Sequence, residues 1–323
     1  MQWKSDLRAA LDNNDGIYLL NESASTPFIA QSELVLMGKN LNTTSLLPLV
    51  DLLTERYVTQ AKLASLGEIE GVGFIRLSLN KNHVELNSYI KQFADEQACD
   101  FALVAKLPDF SQPGLVLMDM DSTTIQIECI DEIAKLYGVG EAVSAVTAAA
   151  MRGELDFNES LRTRVSKLDG ASELVLKEVA DTMPLMPGLL SLIAGLKAAN
   201  WKVAIASGGF TYFANRLKQD HGFDAAFANT LEIVEGTLTG NVTGEIVNAD
   251  VKARTLIELA TEYNIPLSQT VAIGDGANDL VMMAASSLGI AIHAKPIVQE
   301  KASVSLNNLD LEGALCLLNS SLS

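Results

Sequence analysis

From about residue 115 onward, short and continuously apolar runs alternate with longer stretches that have helical periodicity. Four such runs stand out, at 115–118, 201–206, 270–273 and 289–292. Continuous apolar runs of this length are typical of strands in a parallel sheet that is buried on both faces. Because helical patterns such as 188–199 and 251–263 separate the runs, the sequence predicts an α/β core built on a parallel sheet.

One long segment interrupts this alternation of strands and helices. Between residues 128 and 186 there is no buried-strand run, and only helical patterns such as 130–137 and 157–168 are present. An insertion of this length directly after the first strand predicts a small helical cap, at about 129–186, that covers the end of that strand.

The first 110 residues follow a different pattern. A strand at 71–79, a helix at 84–96 and a strand at 101–105 indicate an α+β unit. The segment 106–114, which contains two prolines and a glycine, is typical of a linker. The sequence therefore predicts a separate α+β domain before the α/β core.

Composition narrows the class of protein. Of the 323 residues, 48% are hydrophobic and 20% are charged, a balance typical of globular domains with a sizeable core. The formal net charge is -17 and no cluster of lysine and arginine is present, so we expect no nucleic-acid partner. An acidic chain that binds a phosphate ester must supply local positive charge from a metal, a lysine or helix N-termini.

Three further features bear on location. The cysteines Cys99, Cys129 and Cys316 lie far apart without metal-binding spacing, which favours free thiols in a reducing cytoplasm. The most apolar region, 281–298, contains two serines, a histidine and a lysine, so it is a poor candidate for a membrane span. Residues 1–6 lack the pattern of a signal peptide. We therefore expect a cytoplasmic protein with no membrane partner.

Carboxylates follow two of the predicted strands. Asp119 and Asp121 come directly after the first run, and Asp275 follows the third run between two glycines. Since residues i and i+2 of a strand project to the same side, Asp119 and Asp121 should repel each other unless they share a cation or a proton. Mg²⁺ prefers such oxygen ligands, and an aspartate can act as a nucleophile or as a general acid and base. Taken alone, the segment with Asp119 and Asp121 and the glycine-rich segment with Asp275 are each also compatible with an ordinary polar turn.

Candidate phosphate-binding groups follow the second run and open a later helix. Ser207, Gly208 and Gly209 precede a helix that begins near residue 210. A hydroxyl and unhindered backbone N–H groups at a helix N-terminus bind anions, although a serine there can simply cap the helix. Lys252 lies near the start of another predicted helix, where the macrodipole disfavours a cation. This position suits a residue directed at phosphate, and a solvated surface lysine is the ordinary alternative.

Taken together, these residues resemble the four motifs of the haloacid dehalogenase superfamily, in order, over about residues 114–323. The resemblance implies a Rossmann-like parallel-sheet core with Asp119 as nucleophile and Asp121 as general acid and base. It also implies a Mg²⁺ ion held by Asp119, Asp121 and Asp275. Asp279 is then expected to support the metal site from behind these ligands.

The resemblance also assigns the phosphate-binding groups. Ser207, the Gly208 backbone and Lys252 are expected to neutralise the phosphoryl oxygens that the metal does not reach. Asn278 is expected to contact the phosphate or the lysine.

The motifs resemble most closely those of the phosphoserine phosphatase family. Residues 119–123 read DMDST, a form typical of that family, and Glu128 stands nine residues after the first aspartate. Met151, Phe157 and Arg164 resemble the cap residues that shape the substrate pocket in the family. The resemblance implies that Arg164 holds the substrate carboxylate through a bidentate pair and that Glu128 accepts hydrogen bonds from its ammonium group.

The expected reaction is hydrolysis of O-phosphoserine through an aspartyl-phosphate intermediate, the last step of serine biosynthesis. Two alternatives stay open. One is a related phosphatase or phosphotransferase for another small phosphomonoester, against which Glu128 and Arg164 favour an amino-acid substrate. The other is a non-catalytic amino-acid-binding protein, which would not need the intact Asp119 and Lys252.

The N-terminal extension lies outside this resemblance. Its strand–helix–strand portion is compatible with an ACT-like regulatory domain, and a docking or stabilising domain is the alternative. We expect domains at 1–109 and 110–323, and we expect the second to fold and work without the first. A monomer and a homodimer both stay open.

Overall fold

The structure is a computed structural model that describes residues 17–19, 27–41, 43–152 and 154–322, without the side chains at 17–19, 43–47 and 151. Residues 1–6, on which the expectation about a signal peptide rests, lie outside these ranges. The strands are β1 (Ile17–Leu19), β2 (Ser32–Gly38), β3 (Gln60–Ile69), β4 (Val72–Leu79), β5 (Asp100–Val104), β6 (Leu115–Met118), β7 (Lys202–Phe210), β8 (Ala225–Val234), β9 (Thr237–Thr243), β10 (Thr270–Gly274), β11 (Leu288–Ile292) and β12 (Val304–Leu306). The helices are α1 (Thr43–Glu55), α2 (His83–Gln97), α3 (Cys129–Tyr137), α4 (Gly140–Met151), α5 (Phe157–Ser166), α6 (Leu174–Thr182), α7 (Leu189–Ala198), α8 (Thr211–His221), α9 (Ala249–Glu262), α10 (Leu280–Ala285), α11 (Pro296–Gln299) and α12 (Leu311–Asn319).

All of these strands belong to one sheet, in the order β1-β3-β4-β2-β5-β12-β11-β10-β6-β7-β8-β9. Neighbouring strands from β12 to β8 run parallel, whereas β8 and β9 form an antiparallel hairpin. Strand β6 lies between β10 and β7, with Met118 opposite Ile273 on one side and Ile205 on the other. The carboxyl ends of the three strands that carry the predicted motifs therefore lie side by side. This confirms the predicted α/β core with a parallel sheet.

The parallel strands are buried on both faces, as their continuous apolar runs predicted. Along β6, Val116 and Met118 point into a core that also contains residues of α7, α8 and α12. The alternate residues Leu115 and Leu117 point into a second core with residues of α9 and α10. Because successive side chains of a strand point to opposite faces, each strand contributes to both cores.

Helices α3 to α6 form a cap inserted between β6 and β7, which confirms the predicted helical insertion. The two chain segments that enter and leave the cap pair with each other, since Gln126 N–H donates to Pro184 O (2.9 Å) and Met186 N–H to Thr124 O (2.9 Å). The cap also binds the unpredicted β8–β9 hairpin, where Leu238 N–H donates to the carbonyl of Ala171 (2.8 Å). The cap is therefore attached to the core at two places.

The N-terminal extension has the order β2-α1-β3-β4-α2-β5, with the strands arranged antiparallel as β3-β4-β2-β5. This is the ferredoxin-like βαββαβ arrangement. Its helices pack on one face of the sheet in a separate core that includes Leu34, Ile75, Leu86 and Ile90. The predicted α+β pattern is confirmed, and a regulatory role of ACT type stays a prediction.

The extension and the α/β core share one sheet and one hydrophobic cluster. Strand β5 pairs antiparallel with β12, with Ala102 opposite Val304. On the face away from α1 and α2, Val35 and Phe74 belong to the same core cluster as Leu315 of α12. The segment predicted as a linker, 106–114, has no regular secondary structure, but Phe110 within it is buried against Trp201.

Candidate active site

The carboxyl ends of β7, β6 and β10 open onto a cavity of about 520 Å³ between the sheet and the cap. Nine of the predicted site residues line this cavity, namely Asp119, Asp121, Glu128, Phe157, Arg164, Ser207, Gly208, Asp275 and Asn278. Of the other three, Lys252 contacts Asp119 and Asp279 contacts Lys252. The side chain of Met151 lies outside the described residues, so its place in the pocket stays a prediction.

Asp119 occupies the junction of β6 and β10. Its backbone N–H donates to the carbonyl of Ile273 (2.9 Å), and its own carbonyl accepts from the Thr124 hydroxyl (2.6 Å). In the side chain, Oδ1 accepts from the Met120 N–H (2.7 Å) and Oδ2 lies 2.9 Å from Lys252 Nζ. These contacts fix a nearly buried carboxylate in the cavity wall.

Lys252 is completely buried, so the alternative of a solvated surface lysine is excluded. Its Nζ lies 2.9 Å from Asp119 Oδ2 and 2.7 Å from Asp279 Oδ1. Burial alone would lower the pKa of Lys252, but the two carboxylates raise this pKa above its usual value, so the side chain is a cation. Buried lysines are rare unless they are paired in this way.

Asp279 is positioned by its own neighbours as well as by the lysine. Its Oδ2 accepts from the Gly276 N–H (3.0 Å). A Cβ at Gly274 would lie 2.4 Å from Asp279 Cγ, which explains why a glycine ends β10. Both carboxylate oxygens therefore have partners, and the role of Asp279 in supporting the metal site stays a prediction.

Asp119, Asp275 and Asp279 place carboxylate oxygens within 4.8 Å of one another. Burial, followed by the charges of Asp119 and Asp279, raises the pKa of Asp275 to about 7. Burial and the charge of Asp119 likewise raise the pKa of Asp279 to about 6. Part of these shifts comes from repulsion between the carboxylates as anions, and a divalent cation would offset that repulsion. The donor set therefore fits a cation that prefers hard oxygen ligands.

Asp121 lines the cavity beside this group, and its carboxylate is not one of the three that cluster. Its Oδ1 is buried and, among the described residues, has no hydrogen-bond partner. Burial, followed by the charges of Glu128 and Asp119, raises the pKa of Asp121 well above its usual value. This shift stabilises the protonated form relative to that of an exposed aspartate, which is the direction that a general acid requires. Metal ligation by Asp121 stays a prediction.

Ser207 and Gly208 lie at the end of β7, just before α8 begins. Gly209 N–H donates to Ser207 Oγ (2.9 Å), so the serine does not act as the cap of α8, whose N-cap residue is Phe210. A Cβ at Gly208 would lie 2.7 Å from Cζ of Phe157 in the cap. The turn thus needs glycine to approach the cap closely, and it leaves the Ser207 O–H available to a ligand.

Glu128 and Arg164 bring opposite charges to the cap side of the cavity. Glu128 precedes α3 and accepts from the Ser122 hydroxyl (2.8 Å). Enclosure by the protein raises the pKa of Glu128, although the Ser122 hydrogen bond opposes this shift. In the described part of the chain, Arg164 Nε is buried without a hydrogen-bond partner, and its burial lowers the pKa of the guanidinium. An unsatisfied buried donor is costly, which points to a ligand at this position.

Three further residues of the site were not given roles from sequence. Ser122 and Thr123 served only as a family signature, but Thr123 Oγ1 donates to Asp275 Oδ1 (3.2 Å) and Ser122 positions Glu128. Asn229, buried in β8, contacts the Gly208 carbonyl. No local pattern indicates Asn229, because its partners lie about 20 residues away in the chain.

Comparison with known proteins agrees with this geometry. The sequence profile of the haloacid dehalogenase-like hydrolases matches residues 113–286. A phosphoserine phosphatase of Vibrio cholerae serotype O1 is 55% identical over 238 residues, which cover 74% of this chain and 73% of that protein.

Solved structures show the same relationship. The crystal structure of a probable phosphoserine phosphatase from Vibrio cholerae, in unliganded form, matches with a TM-score of 0.78 and 44% identity, over 97% of this chain and 94% of that chain. A structure described as a phospho-aspartyl intermediate analogue of phosphoserine phosphatase matches with a TM-score of 0.61 and 40% identity, over 64% of this chain and 99% of that one. The predicted family is confirmed, and the chain belongs to the phosphoserine phosphatases among the haloacid dehalogenase-like hydrolases.

Proposed function

We propose that this chain hydrolyses O-phosphoserine to serine and inorganic phosphate through an aspartyl-phosphate on Asp119. One observation carries the proposal. A single cavity joins the carboxylates at the strand ends to an oppositely charged pair on the cap, Glu128 and Arg164. With a cation bound, the first group suits a phosphoryl group, and the second suits the ammonium and carboxylate groups of an amino acid.

The cap pair accounts for selection of the amino-acid part of the substrate. Arg164 lines the cavity, and its buried Nε–H has no hydrogen-bond partner among the described residues; a substrate carboxylate would satisfy that donor through a charge-assisted hydrogen bond. Glu128 has one oxygen paired with Ser122 and the rest of its carboxylate available to an ammonium group. The relatives named above are phosphoserine phosphatases, which supports the same substrate for this chain.

The proposed chemistry uses the two aspartates of the DMDST segment. A carboxylate oxygen of Asp119 attacks phosphorus, and the bond from phosphorus to the serine oxygen breaks. Asp121, whose pKa is raised by burial and by the charges of Glu128 and Asp119, donates a proton to the departing serine oxygen. Asp121 then takes a proton from water, and the water oxygen attacks phosphorus. The bond between phosphorus and the Asp119 oxygen breaks, which regenerates the Asp119 carboxylate and frees inorganic phosphate.

Positive charge and hydrogen-bond donors stabilise the phosphoryl group during both steps. We assign this role to the Ser207 hydroxyl, the Gly208 backbone, Asn278 and the Lys252 ammonium. Lys252 is already directed at Asp119 from 2.9 Å, so its charge needs no reorganisation when the reaction begins. The ion pair also holds the nucleophile in place, which contributes through orientation.

The cation that fits the acidic group is proposed to be Mg²⁺, held by Asp119, Asp121 and Asp275 and supported by Asp279. When bound, Mg²⁺ supplies positive charge that offsets the repulsion between carboxylates and phosphate.

The test is phosphate release from a panel of phosphoserine, phosphothreonine, phosphoethanolamine and a sugar phosphate, with Mg²⁺ and with a chelator. We expect clear selectivity for phosphoserine that is lost on chelation. Metal-dependent activity that prefers the sugar phosphate would retain the chemistry of the core but contradict the role of the cap pair. Absence of phosphate release from every substrate would contradict the proposed function and favour a binding protein.

We also propose a cytoplasmic location and a place in serine biosynthesis. The described cysteines Cys99, Cys129 and Cys316 are buried free thiols, which supports a reducing compartment. Among the described helices, none has the length and apolar character needed to span a bilayer. The oligomeric state stays open between monomer and homodimer.

A further inference from the structure

The side chain of Asn229 joins the two elements that carry the proposed phosphate-binding groups. Asn229 is only 1% exposed, and it lies on β8 opposite Phe210 of β7. Its Nδ2 donates to the carbonyl of Gly208 (2.8 Å), and its Oδ1 accepts from the Val247 N–H (2.9 Å). One partner is an acceptor and the other a donor, so the orientation of the amide is unambiguous.

The first contact fixes the turn that carries Ser207. Asn229 holds the Gly208 carbonyl. On the other side of this residue the Phe157 ring packs so closely that a Cβ at Gly208 would lie 2.7 Å from its Cζ atom. The next N–H, that of Gly209, donates to Ser207 Oγ at 2.9 Å. Because the peptide between Gly208 and Gly209 is planar, holding its carbonyl also sets the direction of this N–H and the position of the serine hydroxyl.

The second contact fixes the segment that leads into α9, the helix of Lys252. Val247 directly precedes Asn248, whose side chain caps the helix by accepting from the Val251 N–H (3.1 Å). The carbonyl of Asn248 accepts from the backbone N–H of Lys252 (2.9 Å). Asn229 is therefore linked to the lysine backbone through two hydrogen bonds and the two residues Val247 and Asn248.

We propose that Asn229 is a positioning residue for phosphoryl transfer, which sets the separation between the Ser207 hydroxyl and the Lys252 ammonium group. This role rests on the proposed function, because it requires that both groups hold the phosphoryl oxygens. An amide presents a donor and an acceptor at the same time. A carboxylate at this position would keep the contact with Val247 but place an oxygen against the Gly208 carbonyl.

The test is steady-state kinetics of Asn229→Asp with phosphoserine and Mg²⁺. We expect kcat to fall roughly 10- to 100-fold, because a misplacement of about 1 Å can cost about 100-fold in rate. We expect KM to stay within about threefold, since none of the Asn229 contacts involves Glu128 or Arg164. A purely structural role would reduce the folded fraction without changing kcat per folded molecule.

Asn241→Asp is the matched control, because it makes the same chemical change at an exposed position on the neighbouring strand β9 and should leave kcat unchanged. Asn229→Ser, whose side chain is too short to reach both partners, is the second variant if the aspartate variant does not fold. A kcat within about twofold of wild type in either folded variant, or failure of both variants to fold, would overturn the positioning role. Wild-type protein without activity on any phosphomonoester would overturn the proposed function and this role together.

Discussion

At the scale of single residues, the site depends on charges that are buried in pairs. Lys252 has no solvent exposure, and it stays cationic because Asp119 and Asp279 face its ammonium group. Removal of one partner from such a group leaves an uncompensated buried charge, which typically costs about 3–5 kcal/mol. Arg164 differs, because its buried Nε has no partner in the described part of the chain. The charge of Lys252 is therefore paired without substrate, whereas Arg164 Nε would gain a hydrogen-bond partner only from a ligand.

The unpaired arginine leads to a prediction about specificity. Arg164→Ala should lower kcat/KM for phosphoserine about 100-fold, in line with roughly 3 kcal/mol for hydrogen bonds between charged groups. Phosphoethanolamine has the ammonium group but no carboxylate, so its kcat/KM should change little. Initial rates of phosphate release from the two substrates measure the difference.

The control for this prediction is Arg162→Ala, which removes an arginine from the exposed side of the same helix. It should leave both substrates unaffected. Equal losses on phosphoserine and phosphoethanolamine in Arg164→Ala would exclude carboxylate recognition by this residue.

The raised pKa values of the acidic group predict how cation binding depends on pH. The pKa of Asp275 is about 7 without a cation, so below this pH the cation must displace a proton. Affinity for Mg²⁺ should therefore fall as pH decreases below 7, by about tenfold per pH unit for each proton released, and level off above about pH 8. Calorimetric titration in buffers with different ionisation heats measures both affinity and proton release. A pH-independent affinity without proton release would contradict the assignment of Asp275.

Single residues also show how far the sequence predicts the site. Asp119, Asp121 and Asp275 were predicted from the ends of apolar runs, because such runs define parallel strands whose ends must meet. The burial of Lys252 could not be predicted from its helix alone, since it depends on two carboxylates that follow strands β6 and β10. No sequence pattern indicated Asn229, because its proposed role depends on two contacts with distant segments of the chain.

At the scale of elements, the continuous apolar runs of the parallel sheet were predictable as strands, whereas the half-exposed strand β9 was not. Strands β6, β10 and β11 are buried along their whole length, and each is a continuous apolar run. Strand β9 reads TLTGNVT and alternates between buried and exposed positions. Its place is set by pairing with β8 and with the cap at Leu238, which are tertiary contacts. The local sequence of β9 does not specify these tertiary contacts, so the strand could not be predicted from it.

One element junction depends on a single carboxylate. Asp100, at the start of β5, is 2% exposed and accepts from the backbone N–H groups of Asn307 (3.0 Å), Asn308 (3.1 Å) and Leu309 (2.9 Å). Asp100→Ala leaves these N–H groups without partners, and it should lower the free energy of unfolding by about 3 kcal/mol. Urea unfolding monitored by circular dichroism measures the change.

Asp95→Ala is the matched control, since it removes the same charge from an exposed position on α2. Its free energy of unfolding should stay within about 0.5 kcal/mol of wild type. An unfolding midpoint of Asp100→Ala equal to that of Asp95→Ala would show that the loop after β12 does not depend on Asp100.

At the scale of the whole molecule, the boundary predicted at residue 109 passes through a shared core. Strand β5 continues the sheet of the catalytic core, and Val35, Met37 and Phe74 pack in the same cluster as residues of α12. These contacts argue against the expectation that residues 110–323 fold alone. They favour the alternative of a docking or stabilising extension, because linkage through a sheet restricts relative movement.

Deletion of residues 1–109 should therefore give a fragment that is insoluble or melts well below the full chain. Burial of one large apolar side chain stabilises the folded state by about 1.5–3 kcal/mol. Removal of the extension would expose several such side chains on α12 that pack against it. Thermal unfolding followed by circular dichroism measures the effect. A soluble fragment with the melting temperature and kcat of the full chain would show that the shared core is dispensable.

Asp119 is expected to carry the phosphoryl group between the two steps of the reaction, and trapping that group tests the proposed function most directly. The chain is mixed with phosphoserine and Mg²⁺, quenched during turnover and reduced with borohydride, which converts an aspartyl-phosphate to homoserine. Peptide mass spectrometry then locates the modified residue. We predict homoserine at position 119, dependent on substrate, and none in Asp119→Asn, which should also release no phosphate. Homoserine at position 121, or steady phosphate release by Asp119→Asn, would contradict the mechanism.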